Sequence, residues 1–254
     1  MLISELNRFR RSSRNSPAIQ KTPQMLTRNL TKLIPDPPKR WVKKKLRNYK
    51  LSRAIRAIHN LQLGQVPNRE TLAELIRGWG NEDFAARLDY AEEVAKRAVS
   101  TKGPILECGS GITSILLGLL AGRRGIETWS LEHSLEWCEQ VESVLRRSGI
   151  DQVNICHSAL REYDDFSWYA PPLERMPKEF LLVVCDGPPG DGKGGRYGLL
   201  PILGERLPQG AFILLDDANR PGELEVLDRW TKEANLSVEV REGPEGIYAI
   251  VERR

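Results

Sequence analysis

The sequence predicts an α/β protein with a doubly wound, seven-stranded, mostly parallel sheet. From residue 104 onward, short apolar runs alternate with longer segments of helical spacing, as expected for buried parallel strands joined by helices. The last two apolar runs, LSVEVRE and IYAIVER, are separated only by GPEG. They therefore predict a C-terminal hairpin, in which one strand runs antiparallel to its neighbour.

The segment that precedes the sheet predicts a basic extension followed by helices. Residues 1–38 are rich in Ser, Asn and Pro, a composition typical of poorly ordered chain. Residues 41–61 predict a basic helix with a modest apolar side. We therefore divide the chain into a basic, partly disordered extension, 1–60, and a domain, 61–254.

Two helices are predicted at the start of that domain. Asn68 follows a Val-Pro break and is a suitable N-cap for a helix through about Trp79. Asn81 is the corresponding candidate for a helix from Asp83 to Val99, which the following Gly-Pro pair stops.

The sheet itself is predicted from five apolar runs, each followed by a helix or a loop, and from the terminal hairpin. The first five runs are PILEC, IETWSLE, VNICHSAL, FLLVVCD and AFILLDD. The helical segments between and after them are ITSILLGLLAG, SLEWCEQVESVLRRSG, YGLLPILGERL and PGELEVLDRWTKEAN. A long loop is expected between the third and fourth runs.

Charge is distributed unevenly along the chain. Residues 1–56 hold 16 Lys/Arg but only Glu5 and Asp36 as acids, so this segment is strongly basic although the whole chain has a net charge of only +4. Such a segment is either a solvated extension or a contact region for nucleic acid or an anionic membrane surface. Its Arg- and Ser-rich start also resembles an organelle import signal, against which Glu5 and the early prolines argue.

Composition favours a cytoplasmic protein. No apolar run approaches the roughly 20 residues that a bilayer-spanning helix needs. The four cysteines are far apart and form no C-x-x-C pair, which argues against a structural metal site and for reduced thiols. Peripheral membrane association through the basic segment stays open, as does the oligomeric state.

The stretch ILECGSGITSILLG, 105–118, predicts a ligand site where the first strand becomes a helix. Gly109 and Gly111 allow a sharp turn and close approach of a ligand to the backbone. The free N–H groups of the following helix point toward the same place. In an open α/β sheet, this carboxyl end of the strands is where ligands bind.

Acids at successive strand ends favour a nucleoside without a pyrophosphate. Glu132 ends the second strand, where an acid can accept hydrogen bonds from two ribose hydroxyls. Glu107, two residues before Gly109, repels a pyrophosphate but attracts an ammonium group, directly or through water. Asp186 ends the fourth strand on the same crevice.

With these motifs, the sequence resembles the class I S-adenosylmethionine-dependent methyltransferases over roughly residues 85–253. The likeness rests on LECGSG, SLEH followed by EW, HSAL and CDGPPG, a combination most similar to one subgroup of methyltransferase-domain proteins. It implies a Rossmann-like fold and S-adenosylmethionine as the cofactor. The implied cofactor-binding residues are Glu107, Gly109, Ser110, Gly111, Glu132, His133, Ser158, Ala159 and Asp186.

A finer resemblance is to metal-dependent catechol-type O-methyltransferases. Asp186, the Arg196-Tyr197 pair and Asp216-Asp217 follow the order of that family's motifs, although Asp-Asp replaces its Asp-Asn. The likeness implies Mg²⁺ held by Asp186, Asp216 and Asp217. The alternative is an acid pair that only caps the helix after the fifth strand.

The candidate catalytic residues are Asp186, Asp217 and Lys193. Lys193 lies in the loop after the fourth strand and is either a base with a pKa lowered by burial or a solvated side chain. Trp168, Tyr169 and Tyr197 are candidates for the wall of an acceptor pocket, or for core packing.

Three functions remain open at this point. The first is O-methylation of a small-molecule or glycan hydroxyl, with or without a metal. The second is methylation of a nucleic acid held by residues 1–56, although Gly190 stands where such enzymes carry a base-stacking aromatic residue. The third is a nicotinamide-dependent oxidoreductase or a silent nucleoside-binding module.

Overall fold

The computed structural model describes residues 38–81 and 85–254. The predictions for residues 1–37, including their disorder, therefore lie outside the described residues, as does Asp83. Seven described helices surround the sheet: α1 Pro38–His59, α2 Arg69–Trp79, α3 Leu88–Ser100, α4 Ile112–Leu120, α5 Leu135–Arg147, α6 Leu199–Leu203 and α7 Pro221–Glu233. The strands are β1 Ile105–Cys108, β2 Thr128–Glu132, β3 Val153–His157, β4 Leu160–Glu162, β5 Ser167–Tyr169, β6 Leu182–Cys185, β7 Phe212–Leu215, β8 Leu236–Glu242 and β9 Ile247–Arg253.

Seven strands form one sheet in the order β3-β2-β1-β6-β7-β9-β8. The pairs among β3, β2, β1, β6 and β7 are parallel, whereas β9 is antiparallel to both β7 and β8. The predicted seven-stranded α/β sheet with an antiparallel terminal hairpin is confirmed.

The central strands are apolar because both faces of the sheet are covered. β1 and β6 are buried at every position. One face packs on α1 to α5 through residues such as Ile58, Leu75 and Ile115, and the other packs on β5, α6 and α7 through residues such as Trp168 and Trp230. Burial on both faces explains why these strands read as continuous apolar runs.

The second half of α1 belongs to the first of these cores. Ala54 and Ile58 are fully buried, and Ile55 is nearly so. The guanidinium of Arg123 donates to the carbonyl oxygens of Ile58 and Leu61, at 3.4 and 3.0 Å, and closes the end of the helix. The division of the chain at residue 60 stays a prediction.

The prediction for α2 is accurate at both ends. The Asn68 side chain accepts a hydrogen bond from the Thr71 N–H at 2.9 Å, and the helix ends at Trp79 before a left-handed Gly80. The predicted start of α3 is wrong. That helix begins at Leu88, after Arg87, which provides no side-chain cap, so Asn81 is not its N-cap.

The region between β3 and β6 holds a short ribbon that the sequence did not predict. β4 and β5 pair in antiparallel fashion, with Arg161 opposite Trp168. Each has only three residues, which is too short for a recognisable alternation of polar and apolar side chains.

None of the helices in the described part of the chain combines the length and apolar character that a bilayer crossing requires.

Candidate active site

The candidate site lies at the carboxyl ends of β1, β2, β6 and β7. β1 is central, and the chain moves outward from it first to β2 and β3 and later, on its other side, to β6 and β7. This reversal of strand order leaves a crevice between the loops that follow β1 and β6. Glu132 is the last residue of β2 and Glu107 the last but one of β1, whereas Asp186 directly follows β6 and the pair Asp216-Asp217 directly follows β7.

The two predicted glycines of the loop after β1 have different structural roles. Gly109 has a left-handed φ of 89°, and a Cβ there would lie 3.1 Å from the backbone nitrogen of Gly187 in the loop after β6. Gly111 has no atom within 4 Å of the place where a Cβ would stand. Gly109 is therefore required by the fold, whereas Gly111 leaves open space at the start of α4.

Glu107 is fully buried in β1 and only partly satisfied. Its Oε2 accepts hydrogen bonds from the hydroxyls of Ser114 and Ser130, both at 2.5 Å. Its Oε1 has no hydrogen-bond partner. Burial raises the pKa of Glu107 from 4.5 to about 7, although the serine hydroxyls act in the opposite direction. Among the described residues, the buried Oε1 therefore lacks the hydrogen-bond partner that buried polar atoms ordinarily have.

Glu132 is surrounded by donors from the protein. Its Oε2 accepts from the N–H and the hydroxyl of Ser110, at 3.1 and 3.0 Å. Its Oε1 accepts from the Ser134 N–H at 2.9 Å and lies 3.1 Å from Nδ1 of His133. The carboxylate thus accepts three hydrogen bonds, two from backbone N–H groups and one from a side chain, and the His133 ring lies close to its fourth acceptor position.

Trp137 fixes the loop that carries these groups. Its indole N–H donates to the carbonyl oxygen of Ser110 at 2.7 Å, and its ring packs edge-on against Trp79 of α2 at 5.6 Å. The loop after β1 is thereby attached to α5 and, through Trp79, to the N-terminal helices.

The predicted adenine-binding segment follows β3. Ser158 is buried, its N–H donates to the carbonyl oxygen of Glu132 at 2.7 Å, and its hydroxyl has no partner. Ala159 is exposed beside it. Nε2 of His157 lies 3.1 Å from the carbonyl oxygen of His133, so this histidine connects the ends of β2 and β3. The structure brings Ser158 and Glu132 together, and their role in binding a cofactor stays a prediction.

Three predicted acids meet at the ends of β6 and β7. One oxygen each of Asp186, Asp216 and Asp217 lies within 4.8 Å of the others. Asp217 has a left-handed φ of 56°, and its N–H donates to Oδ1 of Asp216 at 2.8 Å. Such a conformation is uncommon for a residue other than glycine and places the two neighbouring carboxyl groups on one side of the chain.

Arg196 connects this acidic cluster. It is almost fully buried and donates to the carbonyl oxygens of Asp216 and Asp186, at 2.6 and 2.7 Å. The same guanidinium lies 3.2 Å from a carboxylate oxygen of Asp186 and 3.4 Å from one of Asp217. In the sequence Arg196 is recognisable only as part of an Arg-Tyr pair, and its contacts with the acids were not predicted.

Glu223 was missed altogether. It is buried in the first turn of α7, with Oε1 3.7 Å from Nε of Arg196 and with Oε2 lacking a partner. Nothing distinguishes it in the sequence from an ordinary first-turn acid.

The acidic cluster contains more negative than positive charge. Burial raises the pKa of Asp186 to about 6, against the lowering effect of Arg196. Burial and the neighbouring Asp186 raise the pKa of Asp216 well above its usual value. Arg220 adds a second cation through its contact with Asp217, at 2.9 Å. The two guanidinium groups therefore do not fully offset the effect of burial on these carboxyl groups.

The remaining candidates lie apart from the acids or inside the core. Lys193 is exposed, and its Nζ donates to the carbonyl oxygen of Asp164 at 2.9 Å. Trp168, Tyr169 and Tyr197 are all buried, and Tyr197 donates its hydroxyl to Glu233 at 2.7 Å. Of the three rings, Tyr169 lies beside the site, with its hydroxyl next to Gly187 and its ring centroid 6.5 Å from that of His133.

Comparison with solved structures identifies the class of fold. The chain is similar to an O-methyltransferase from Bacillus cereus in complex with S-adenosylhomocysteine, with a TM-score of 0.52 and 14% identity over 74% of this chain and 92% of that one. The protein has the Rossmann-like methyltransferase fold.

Two further structures are similar at lower scores. An S-adenosylhomocysteine-bound methyltransferase of Podospora anserina has a TM-score of 0.49 and 14% identity over 94% of this chain and 100% of that one. A ribosomal protein L11 methylase from Lactobacillus delbrueckii subsp. bulgaricus has a TM-score of 0.46 and 15% identity over 69% and 80%. No protein-family model and no curated protein matches the chain.

Proposed function

We propose that this protein is an S-adenosylmethionine-dependent methyltransferase that methylates a hydroxyl group of a small molecule or glycan. The observation that carries the proposal is the open space over Gly111, in a loop that Ser114 connects to Glu107 of β1 and Ser110 connects to Glu132 of β2. A cationic nucleoside suits a space bordered by acids, whereas a pyrophosphate does not.

The proposed cofactor contacts follow from the unsatisfied and movable groups. The ribose hydroxyls take the place of the Ser110 hydroxyl and His133 on the Glu132 carboxylate. The adenine lies by Ser158 and Ala159, where its amino group can donate to the orphaned Ser158 hydroxyl. Glu107 attracts the methionine ammonium across a poorly screening interior.

A nicotinamide cofactor fits this arrangement less well. The buried charge of Glu107 stands beside the glycine loop, where a dinucleotide places its pyrophosphate. The antiparallel β9 between β7 and β8 also departs from the parallel sheet of the ordinary dinucleotide-binding fold.

The acidic cluster suits a divalent cation. Four buried or half-buried carboxyl groups face only two guanidinium groups; they are Asp186, Asp216, Asp217 and Glu223 against Arg196 and Arg220. Carboxylate oxygens are the ligands that Mg²⁺ prefers, and Asp186, Asp216 and Asp217 would hold it. When bound, Mg²⁺ polarises the acceptor hydroxyl and lowers its pKa.

The chain's own contribution to the transfer is mainly positioning. Methyl transfer from a sulfonium is an in-line displacement that needs the two reacting atoms held together and water excluded. Arg196 fixes the ends of β6 and β7 through their carbonyl oxygens, so that Asp186 and Asp217 keep their places. Lys193, in the loop after β6, is a candidate to receive the acceptor's proton, and for this its Nζ must leave the carbonyl oxygen of Asp164.

Methylation of a nucleic acid is the second candidate, because α1 carries nine Lys/Arg and no acid. Against it, Gly190 follows the prolines of the loop after β6, where no aromatic ring is available for stacking on a base.

Calorimetry and a transfer assay test the proposal together. S-adenosylhomocysteine is expected to bind and NAD is not; binding of NAD alone would refute the cofactor assignment. Transfer of labelled methyl groups is then measured on a hydroxyl library, with and without chelator, and on RNA. Transfer only to RNA would favour the second candidate, and transfer unaffected by chelator would remove Mg²⁺ from the proposal.

A further inference from the structure

The first half of α1 presents an apolar and basic surface away from the other described helices and strands. We define the outer face of α1 as Trp41, Val42, Lys45, Leu46 and Tyr49. Trp41, Leu46 and Tyr49 are 59%, 50% and 58% exposed, which is unusual for large apolar side chains. At 100° per residue, Lys45, Leu46 and Tyr49 lie on the side of the helix opposite the buried Ala54, Ile55 and Ile58, and Trp41 lies at the edge of that side.

The surroundings of this face are positively charged. The helix contains nine Lys/Arg and no Asp or Glu. Two of these cations are engaged by the protein: Arg53 pairs with Glu74 of α2, and Arg47 donates to the carbonyl oxygen of Gly80. The cluster Lys43, Lys44 and Lys45 is not needed for either contact.

We propose that the outer face of α1 docks the protein on an anionic phospholipid surface, with α1 lying in the plane of the headgroups. Exposed Trp and Tyr side chains prefer the membrane interface, and Leu46 and Val42 gain free energy there by leaving water. The flanking lysines are attracted to anionic headgroups and extend toward them on long apolar stems. This inference does not depend on the proposed methyl transfer.

A membrane surface fits these residues better than a nucleic acid does. Lysines alone suffice for contacts with phosphates, and a nucleic-acid backbone offers no apolar medium to Leu46. The indole of Trp41 is already covered on one face by Nζ of Lys45, 3.9 Å from the ring centroid, so its stacking on a base is obstructed. In sequence, residues 1–37 add seven Lys/Arg against two acids, so they strengthen attraction to an anionic surface rather than neutralise the helix.

Co-sedimentation of the full-length protein with vesicles tests this proposal. The protein is expected to pellet with vesicles of phosphatidylcholine and phosphatidylglycerol, but not with phosphatidylcholine alone. The double variant Trp41→Ala/Leu46→Ala removes only exposed apolar groups and is expected to weaken binding about tenfold. The triple variant Lys43→Glu/Lys44→Glu/Lys45→Glu is expected to abolish it.

Leu160→Ala is the matched control, because Leu160 is 41% exposed on β4 and not part of α1. It is expected to bind vesicles like the wild type. Unaltered thermal unfolding of all variants would show that the fold is intact.

Two results would overturn the inference. Vesicle binding by Trp41→Ala/Leu46→Ala equal to that of the wild type would mean that charge alone attracts the protein. Displacement from the vesicles by single-stranded RNA at equal phosphate concentration would mean that the surface is a nucleic-acid site.

Discussion

Substitution of Glu107 by Gln is predicted to separate folding stability from cofactor affinity. The folded-state pKa of Glu107 is raised by burial from 4.5 to about 7, so the folded protein holds this proton more tightly than the unfolded chain does. The stability of the free protein therefore falls as pH rises from about 4.5 to 7, by up to about 3 kcal/mol. Glu107→Gln, which cannot ionise, is expected to unfold at higher temperature than the wild type at pH 8.

The affinity for the cofactor should rise as pH rises, whereas the stability of the free protein falls. If the ammonium group is placed about 7 Å from Glu107, at an effective dielectric constant of about 20, it contributes about 2.4 kcal/mol and lowers the pKa of Glu107 in the bound form. The affinity for S-adenosylhomocysteine should then rise about sevenfold between pH 6 and pH 7.5, and binding at pH 7 should release about half a proton.

Isothermal titration calorimetry in buffers of different ionisation enthalpy measures both quantities. In Glu107→Gln the change of affinity with pH attributable to this residue disappears, while any contribution of the histidines remains. Parallel pH profiles for wild type and Glu107→Gln would refute the assignment of Glu107 as the countercharge of the cofactor.

Three further substitutions test other parts of the site. Ser110→Ala removes a donor that competes with the ribose, so S-adenosylhomocysteine affinity measured by calorimetry should stay equal or increase; a tenfold loss would contradict this. Gly111→Ala should keep its melting temperature but lose at least about tenfold in affinity, whereas Gly109→Ala should lose about 1–2 kcal/mol of stability because of its positive φ. Arg196→Met leaves buried acids without their cation and should lower the free energy of unfolding in urea by about 3 kcal/mol, against less than about 1 kcal/mol for the exposed Arg220→Met. Equal losses for the two arginine variants would contradict the role of Arg196.

The sheet could be predicted from the sequence because burial on both faces requires apolar residues at consecutive positions of each central strand. β1 and β6 are buried on both faces, so every residue in them except Glu107 is apolar. The helix start at Leu88 could not be predicted, since no side chain caps it and Asn81 offered a stronger signal than the true boundary. The ribbon β4–β5 depends on pairing between segments too short to show a period.

Of the site, the sequence could predict only those residues that a position at the end of a strand is enough to bring into the crevice. The positions of Glu107, Glu132 and Asp186 follow from the parallel sheet, which brings strand ends together. The saturation of Glu132 depends on how the loop after β1 turns, and the partnership of Arg196 with Glu223 depends on how α7 packs. Such contacts depend on tertiary structure and cannot be recognised from the neighbouring residues in the sequence.

The central claim is that acids at the ends of β1 and β2 border a phosphate-free site for a sulfur-containing nucleoside. A crystal structure with S-adenosylhomocysteine and Mg²⁺ measures this most directly. We expect the ribose on Glu132, the adenine ring beside Ser158, and the ammonium group on the Glu107 side of Gly111. A nucleoside bound elsewhere, or these strand ends left without ligand at saturating concentration, would contradict it.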